Sequence, residues 1–274
     1  MKSVFTGVTA AMAFSGLMAA TAATAQAQTT PQSPAERVGY CYSDASAHMG
    51  KMNIGYVKVS PSIDDITKTG MERVAKFLEE KTSLEATTDD QKIHAVELDI
   101  ERDDICQPFY PFIYWPVTHE SQPLSADARL KVDLYLSRGG FIMFDLRDAG
   151  MNREETMQKL WGKTDTGIPL PRNHILRDTF YSNSDLPCSI NINPVNILKP
   201  FTTSGEAVSQ VIILDRNCAS AWAGITLAEG SKEQLLSLRG ITNIIMYALT
   251  GDYKNDQRKS RQNLQKMHGL EPHR

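Results

Sequence analysis

The chain is 274 residues long and carries 29 Lys and Arg against 32 Asp and Glu, a formal net charge of -3 at pH 7. Charges of both signs are interspersed, so the basic footprint needed for nucleic acid or an anionic membrane surface is missing. Beyond residue 27 no apolar run approaches the ~20 residues that span a bilayer; the longest, Ile241 to Leu249, is broken by Thr242 and Asn243.

At the start, Lys2 precedes a mostly apolar run from Val4 to Ala20, and small residues follow at Ala23-Thr24-Ala25-Gln26-Ala27. This layout is that of a secretory signal peptide over residues 1–27, cut near Ala27, with an N-terminal membrane anchor as the alternative; the mature chain is expected in the periplasm or outside the cell. Residues 28–52 form a polar leader, opening QTTPQSPAE, that is expected to be partly disordered.

The first strand reads as Ile54 to Val59, IGYVKV. A helix from Ser62 or Asp64 to about Lys81 follows, with Met71, Val74, Ala75 and Leu78 on one face and Asp64 and Asp65 at the end that favours acids. His94 to Leu98 alternates as a second strand. Phe109 to Pro116, FYPFIYWP, is an aromatic strand whose Pro111 marks its entry. Ser125 caps a helix to Arg138 that stops at Gly139-Gly140, and the strand Phe141 to Phe144 follows at once.

Asn152 and Glu155 form a capping box for a helix ending near Gly162. Thr164 to Gly205 has little periodicity and is expected to cross the edge or mouth of the sheet. Val211 to Leu214 is the last strand. Ser231 and Gln234 cap a final helix to Leu249, striped by Leu235, Leu238, Ile241 and Ile245 and closed by Gly251. Residues 258–274 are a polar tail. The alternation implies an α/β domain with a mostly parallel sheet and helices on both faces.

Cys41, Cys106, Cys188 and Cys218 are spaced too widely for a zinc site, and their even number suits disulfides in an exported chain. Three connectivities are open. Cys188–Cys218 is preferred because both lie in the C-terminal half, which leaves Cys41–Cys106; four buried thiols are the alternative.

The aromatic run Phe109 to Pro116, the segment Gly139-Gly140-Phe141 to Asp145 with Arg147-Asp148, Asp178-Thr179-Phe180-Tyr181, Ala219-Ser220-Ala221-Trp222-Ala223 and Met246 to Lys254 together resemble the family named domain of unknown function 4159. The resemblance covers residues 53–257. It implies a flavodoxin-like fold of the class I glutamine amidotransferase type. Larger relatives attach such a domain to membrane segments and a von Willebrand-type region, whereas this chain reads as a short, signal-bearing version.

An amidotransferase needs a Cys nucleophile at a strand-to-helix elbow, activated by a His and oriented by a carboxylate. The corresponding position falls in Asp145-Leu146-Arg147-Asp148, without a cysteine, so glutaminase chemistry is not expected. No G-x-S-x-G elbow offers a serine instead, and no P-loop or G-x-G-x-x-G implies a nucleotide cofactor.

Carboxylates at the carboxyl end of a parallel strand nonetheless stand where open α/β sheets bind ligands. Asp145 and Asp148 are therefore candidates for an acid/base pair, for a cation site completed by His119 or His174, or for a structural corner in which Asp148 caps the next helix. His174 is a further catalytic candidate. Tyr114, Trp115, His119, Asp145, Arg147 and Asp148 are the ligand-binding candidates, with the aromatics also read as core packing. The leading expectation is an exported, non-catalytic module that binds an envelope protein or small ligand, without cofactor or resident metal. A hydrolase or isomerase using Asp145 and Asp148, with or without a metal, is the alternative.

Overall fold

Strands that alternate with helices and are apolar on both sides must be covered on both faces, and the computed structural model shows how this chain does so. The structure describes residues 52–82, 93–105, 109–172, 174–182, 188, 195–198 and 209–250. The signal segment, the leader, the Cys41–Cys106 pairing, Asp252-Tyr253-Lys254 and the polar tail lie outside the described residues.

In chain order the elements are β1 (Met52–Val57), α1 (Pro61–Lys81), β2 (Ile93–Leu98), β3 (Phe112–Val117), α2 (Ala126–Ser137), β4 (Phe141–Leu146), α3 (Arg153–Trp161), β5 (Ile168–Pro169), a 3-10 turn (Ile175–Asp178), β6 (Asn196–Ile197), β7 (Val211–Leu214), α4 (Cys218–Trp222) and α5 (Lys232–Thr250). The strands form one sheet in the order β2-β1-β3-β4-β7-β6-β5. β2, β1, β3, β4 and β7 are parallel, and β6 and β5 add an antiparallel edge. Among the parallel strands this is the order of flavodoxin-like folds, with the direction in which strands are added reversing between β1 and β3.

The side-chain period of two divides each central strand between two cores. Phe112, Tyr114, Phe141, Met143, Ile212 and Leu214 pack on one face against α1, α4 and α5. Ile113, Trp115, Val117, Ile142, Phe144 and Ile213 pack on the other against α2 and α3. By the same parity Asp145 points to the first face, into the α4 side. Pro116 is tolerated in a central strand because it falls past the last β1–β3 pair, Tyr56 with Tyr114.

The helix ends follow the sequence signals. Ser125 Oγ accepts from Ala128 N (3.1 Å), Asn152 Oδ1 from Glu155 N (3.2 Å) and Ser231 Oγ from Gln234 N (3.1 Å). Asn152 rather than Asp148 therefore caps α3. On α1, Gly70 lets the helix approach α4, since a Cβ there would stand 2.6 Å from the Ala219 carbonyl oxygen. The excursion after α3 reaches the sheet edge: β5 and β6 extend it, and Asn243 of α5 holds Phe180 and Tyr181 through bonds of 2.9 and 2.7 Å to their amides. Among the described residues no helix is long and apolar enough to cross a membrane.

Candidate functional site

The carboxyl ends of β3, β4 and β7 meet at Asp145. Its side chain is fully buried and accepts four hydrogen bonds. Tyr114 Oη donates to Oδ2 at 2.6 Å, and Cys218 N donates to the same oxygen at 2.6 Å. Arg216 N and Asn217 N donate to Oδ1 at 2.9 and 3.0 Å. The turn that presents these three amides needs Asn217 in the left-handed region (φ 49°), which asparagine tolerates better than most residues. Burial raises the Asp145 carboxyl above the usual aspartate range, and the four donors pull it back. Tyr114 is held well above its ordinary value, first by burial and then by the carboxylate beside it. Both therefore serve as fixed partners: Tyr114 donates, Asp145 accepts.

The disulfide Cys188–Cys218 closes beneath the same turn, as preferred from the sequence, with both residues buried. Cys218 is thus bonded to Asp145 through its amide and to Cys188 through its sulfur. Tyr114 also stacks edge-on against Trp222 of α4 at 5.2 Å. This corner joins three strands, α4 and the excursion.

Two residues further along, the environment changes. Arg147 N bonds the Val117 carbonyl (2.9 Å), which brings the guanidinium past the strand end. Its Nη2 donates to Ser220 Oγ at 3.2 Å, and Ser220 Oγ donates to Asn217 Oδ1 at 2.8 Å. Its Nη1 is sealed from solvent and has no partner. Asp148 Oδ2 accepts from His119 N at 2.8 Å, and His119 is exposed. On the α3 side of this rim lies a hollow of about 240 Å³, with His119, Ser121, Glu155 and Lys159 in its wall.

The structure sorts the sequence candidates by depth. Tyr114, Trp115 and Asp145 are core residues, exposed by 0, 3 and 0 %. Trp115 points to the opposite face from Asp145, packs on Phe144 at 5.2 Å and only floors a hollow of about 190 Å³ beside Asp99 and Glu120. His119 and Asp148 do come together at the rim, whereas the Arg147 side chain leans to the α4 side, onto Ser220. His174 does not join them. It caps the 3-10 turn by accepting from Leu176 N and stacks on Tyr247 at 5.9 Å, and Tyr247 in turn meets Phe141 at 6.0 Å. Phe141 opens β4 and Asp145 lies four residues on, about 13 Å along the strand. His174 thus sits toward the amino end of the sheet and cannot act with Asp145 or Asp148. Among the described residues no group of three or more His, Cys, Asp or Glu is placed to hold a metal ion.

The elbow expected at Asp145-Leu146-Arg147-Asp148 is also not a tight one, because six residues separate β4 from α3. The sharp strand-to-helix turn follows β7 instead, at Asp215-Arg216-Asn217. Asn217 and Ser220 were not singled out from the sequence. The usable signal was their position just past the carboxyl end of the last parallel strand, on the edge of the sheet that binds ligands in such folds, although the switch point itself lies between β1 and β3.

The model of the family described as Domain of unknown function (DUF4159) matches residues 53–249. The chain belongs to this family. No curated protein matches it.

Proposed function

We propose that the chain is exported and serves in the cell envelope as a non-catalytic binding module, holding a protein partner or small ligand at the carboxyl edge of its sheet. The observation that carries this reading is the use made of the corner where an amidotransferase-type fold would place its nucleophile. Asp145 is immobilised by four donors, and Cys218, whose amide is one of them, is locked in a buried disulfide. An acid/base group must exchange protons with a substrate it can reach, and Asp145 offers neither access nor a vacant lone pair in good geometry. The rim above it, with Arg147, Asp148 and His119, keeps polar groups for recognition. The disulfide and the N-terminal segment favour an oxidising compartment.

Export is tested by expressing the whole chain in a Gram-negative host. A periplasmic protein beginning at or near Gln28 is expected; an uncut chain retained in the cytoplasm would overturn it. Binding is tested by passing an envelope fraction over the immobilised mature chain, with the rim variant His119→Ala/Asp148→Asn as control. Retention that the rim variant loses supports the edge as the binding surface. Equal retention by both proteins moves the surface elsewhere, and turnover of any retained component removes the non-catalytic reading.

A further inference from the structure

Arg147 carries a hydrogen-bonding requirement that the described residues leave unmet. Its guanidinium is half-buried, one nitrogen is fixed by Ser220 Oγ, and Nη1 is sealed without a partner. A buried cationic donor without an acceptor is unfavourable and is ordinarily answered by a carboxylate or phosphate, for which the planar guanidinium fork is shaped. The two carboxylates nearest in sequence are engaged elsewhere: Asp145 with Tyr114 and three amides, Asp148 with the amide of His119.

The neighbouring groups are arranged for an acceptor rather than a donor. Ser220, itself only 3 % exposed, accepts from Arg147 and gives its own proton to Asn217 Oδ1. With its oxygen so used, the Asn217 side-chain amide has its NH2 left as a donor that makes no hydrogen bond among the described residues.

We infer that Arg147, braced by Ser220 and joined by the Asn217 amide, is the recognition point for an oxyanion, a carboxylate or phosphate group on the ligand held at the carboxyl edge. The site rests on the binding reading above and gives it a ligand chemistry. The ligand's anionic group takes Nη1 by parting the side chains that now cover it, and the rest of the molecule lies along the rim toward His119.

The test follows the arginine side-chain N–H signals of the full mature chain by NMR, with Arg147 assigned through Arg147→Lys. Acetate, inorganic phosphate and chloride are titrated separately at matched ionic strength. A saturable shift of the Arg147 signal with acetate or phosphate and none with chloride is expected; acetate alone points to a carboxylate ligand, phosphate alone to a phosphate ester. Ser220→Ala, a mild change in a folded protein, should weaken that response by roughly tenfold, the worth of one charged hydrogen bond. A non-saturating response equal to chloride's, or an affinity unchanged by Ser220→Ala, overturns the site. Saturable anion binding by a protein that retains no envelope component would overturn the proposed function and not this site. Retention unaffected by Arg147→Lys would do the opposite.

Discussion

Asp145 and Arg147 stand two residues apart on one strand end, and they have opposite surroundings. The carboxylate is fully buried and has a donor for each of its bonding positions. The guanidinium is half-buried and has one nitrogen unanswered. The difference arises from the strand end and not from parity, since both side chains face α4: Asp145 is still within β4 and is enclosed, while Arg147 lies beyond the strand, where its side chain reaches Ser220. A charge inside a core is retained only when its partners are built in, whereas a charge at an edge can keep part of its capacity for another molecule. The corner holds the fold together, and the rim is where the proposed recognition is placed.

Asp145→Ala gives the sharpest way to break this contrast. It would leave the buried Cys218 amide, the half-buried Arg216 and Asn217 amides and the Tyr114 hydroxyl without this acceptor, a loss of about 4 kcal/mol in urea unfolding. Arg147→Gln, measured alongside, is expected to cost less than ~1 kcal/mol; equal losses for the two would erase the distinction between corner and rim. Removing the disulfide with Cys188→Ala/Cys218→Ala should cost about 3.5 kcal/mol, the chain entropy released by a loop spanning 30 residues. An unchanged denaturation midpoint would show that the excursion is held by its other contacts alone.

Gly70→Ala probes the helix that braces the corner from outside. A methyl group 2.6 Å from the Ala219 carbonyl forces α1 and α4 apart, and a loss of about 2 kcal/mol in thermal or urea unfolding is expected. Tyr114→Phe removes one of the four donors and should cost about 1.5 kcal/mol. The pH profile sharpens the same point. Burial raises the folded-state pKa of Asp145, so the folded chain holds the proton longer than the unfolded chain does. The contribution of this group is fully present below the ordinary aspartate range, near ~3.9, and is lost as pH rises through the folded-state value. Asp145→Asn should flatten that part of the stability profile; a steeper fall with pH in the variant would contradict the assignment. Smallest of all, His119→Ala and Asp148→Asn at the rim should each change stability by no more than ~0.5 kcal/mol, while altering envelope retention.

The sequence alone determined the local structure and much of the architecture of this protein. The apolar aromatic run within Phe109 to Pro116, capping residues at Ser125, Asn152 and Ser231, and the Gly139-Gly140 stop are short-range signals, and they reappear as the strand Phe112–Val117, as caps and as a helix end. Alternation of elements then restricts the sheet to a mostly parallel one, and even the Cys188–Cys218 pairing was within reach. The candidate site was legible only as a neighbourhood. Asp145 and Arg147 look equivalent in the string Phe144-Asp145-Leu146-Arg147-Asp148, because nothing in it states which side chain is enclosed. That was decided by contacts with residues about 70 positions away, in the turn Arg216–Cys218 and at Ser220. His174 likewise lay near the site on paper and at the other end of β4 in space. Propensity and periodicity act over a few residues, whereas burial and hydrogen-bond satisfaction depend on which strands are brought side by side, and only the tertiary structure sets that.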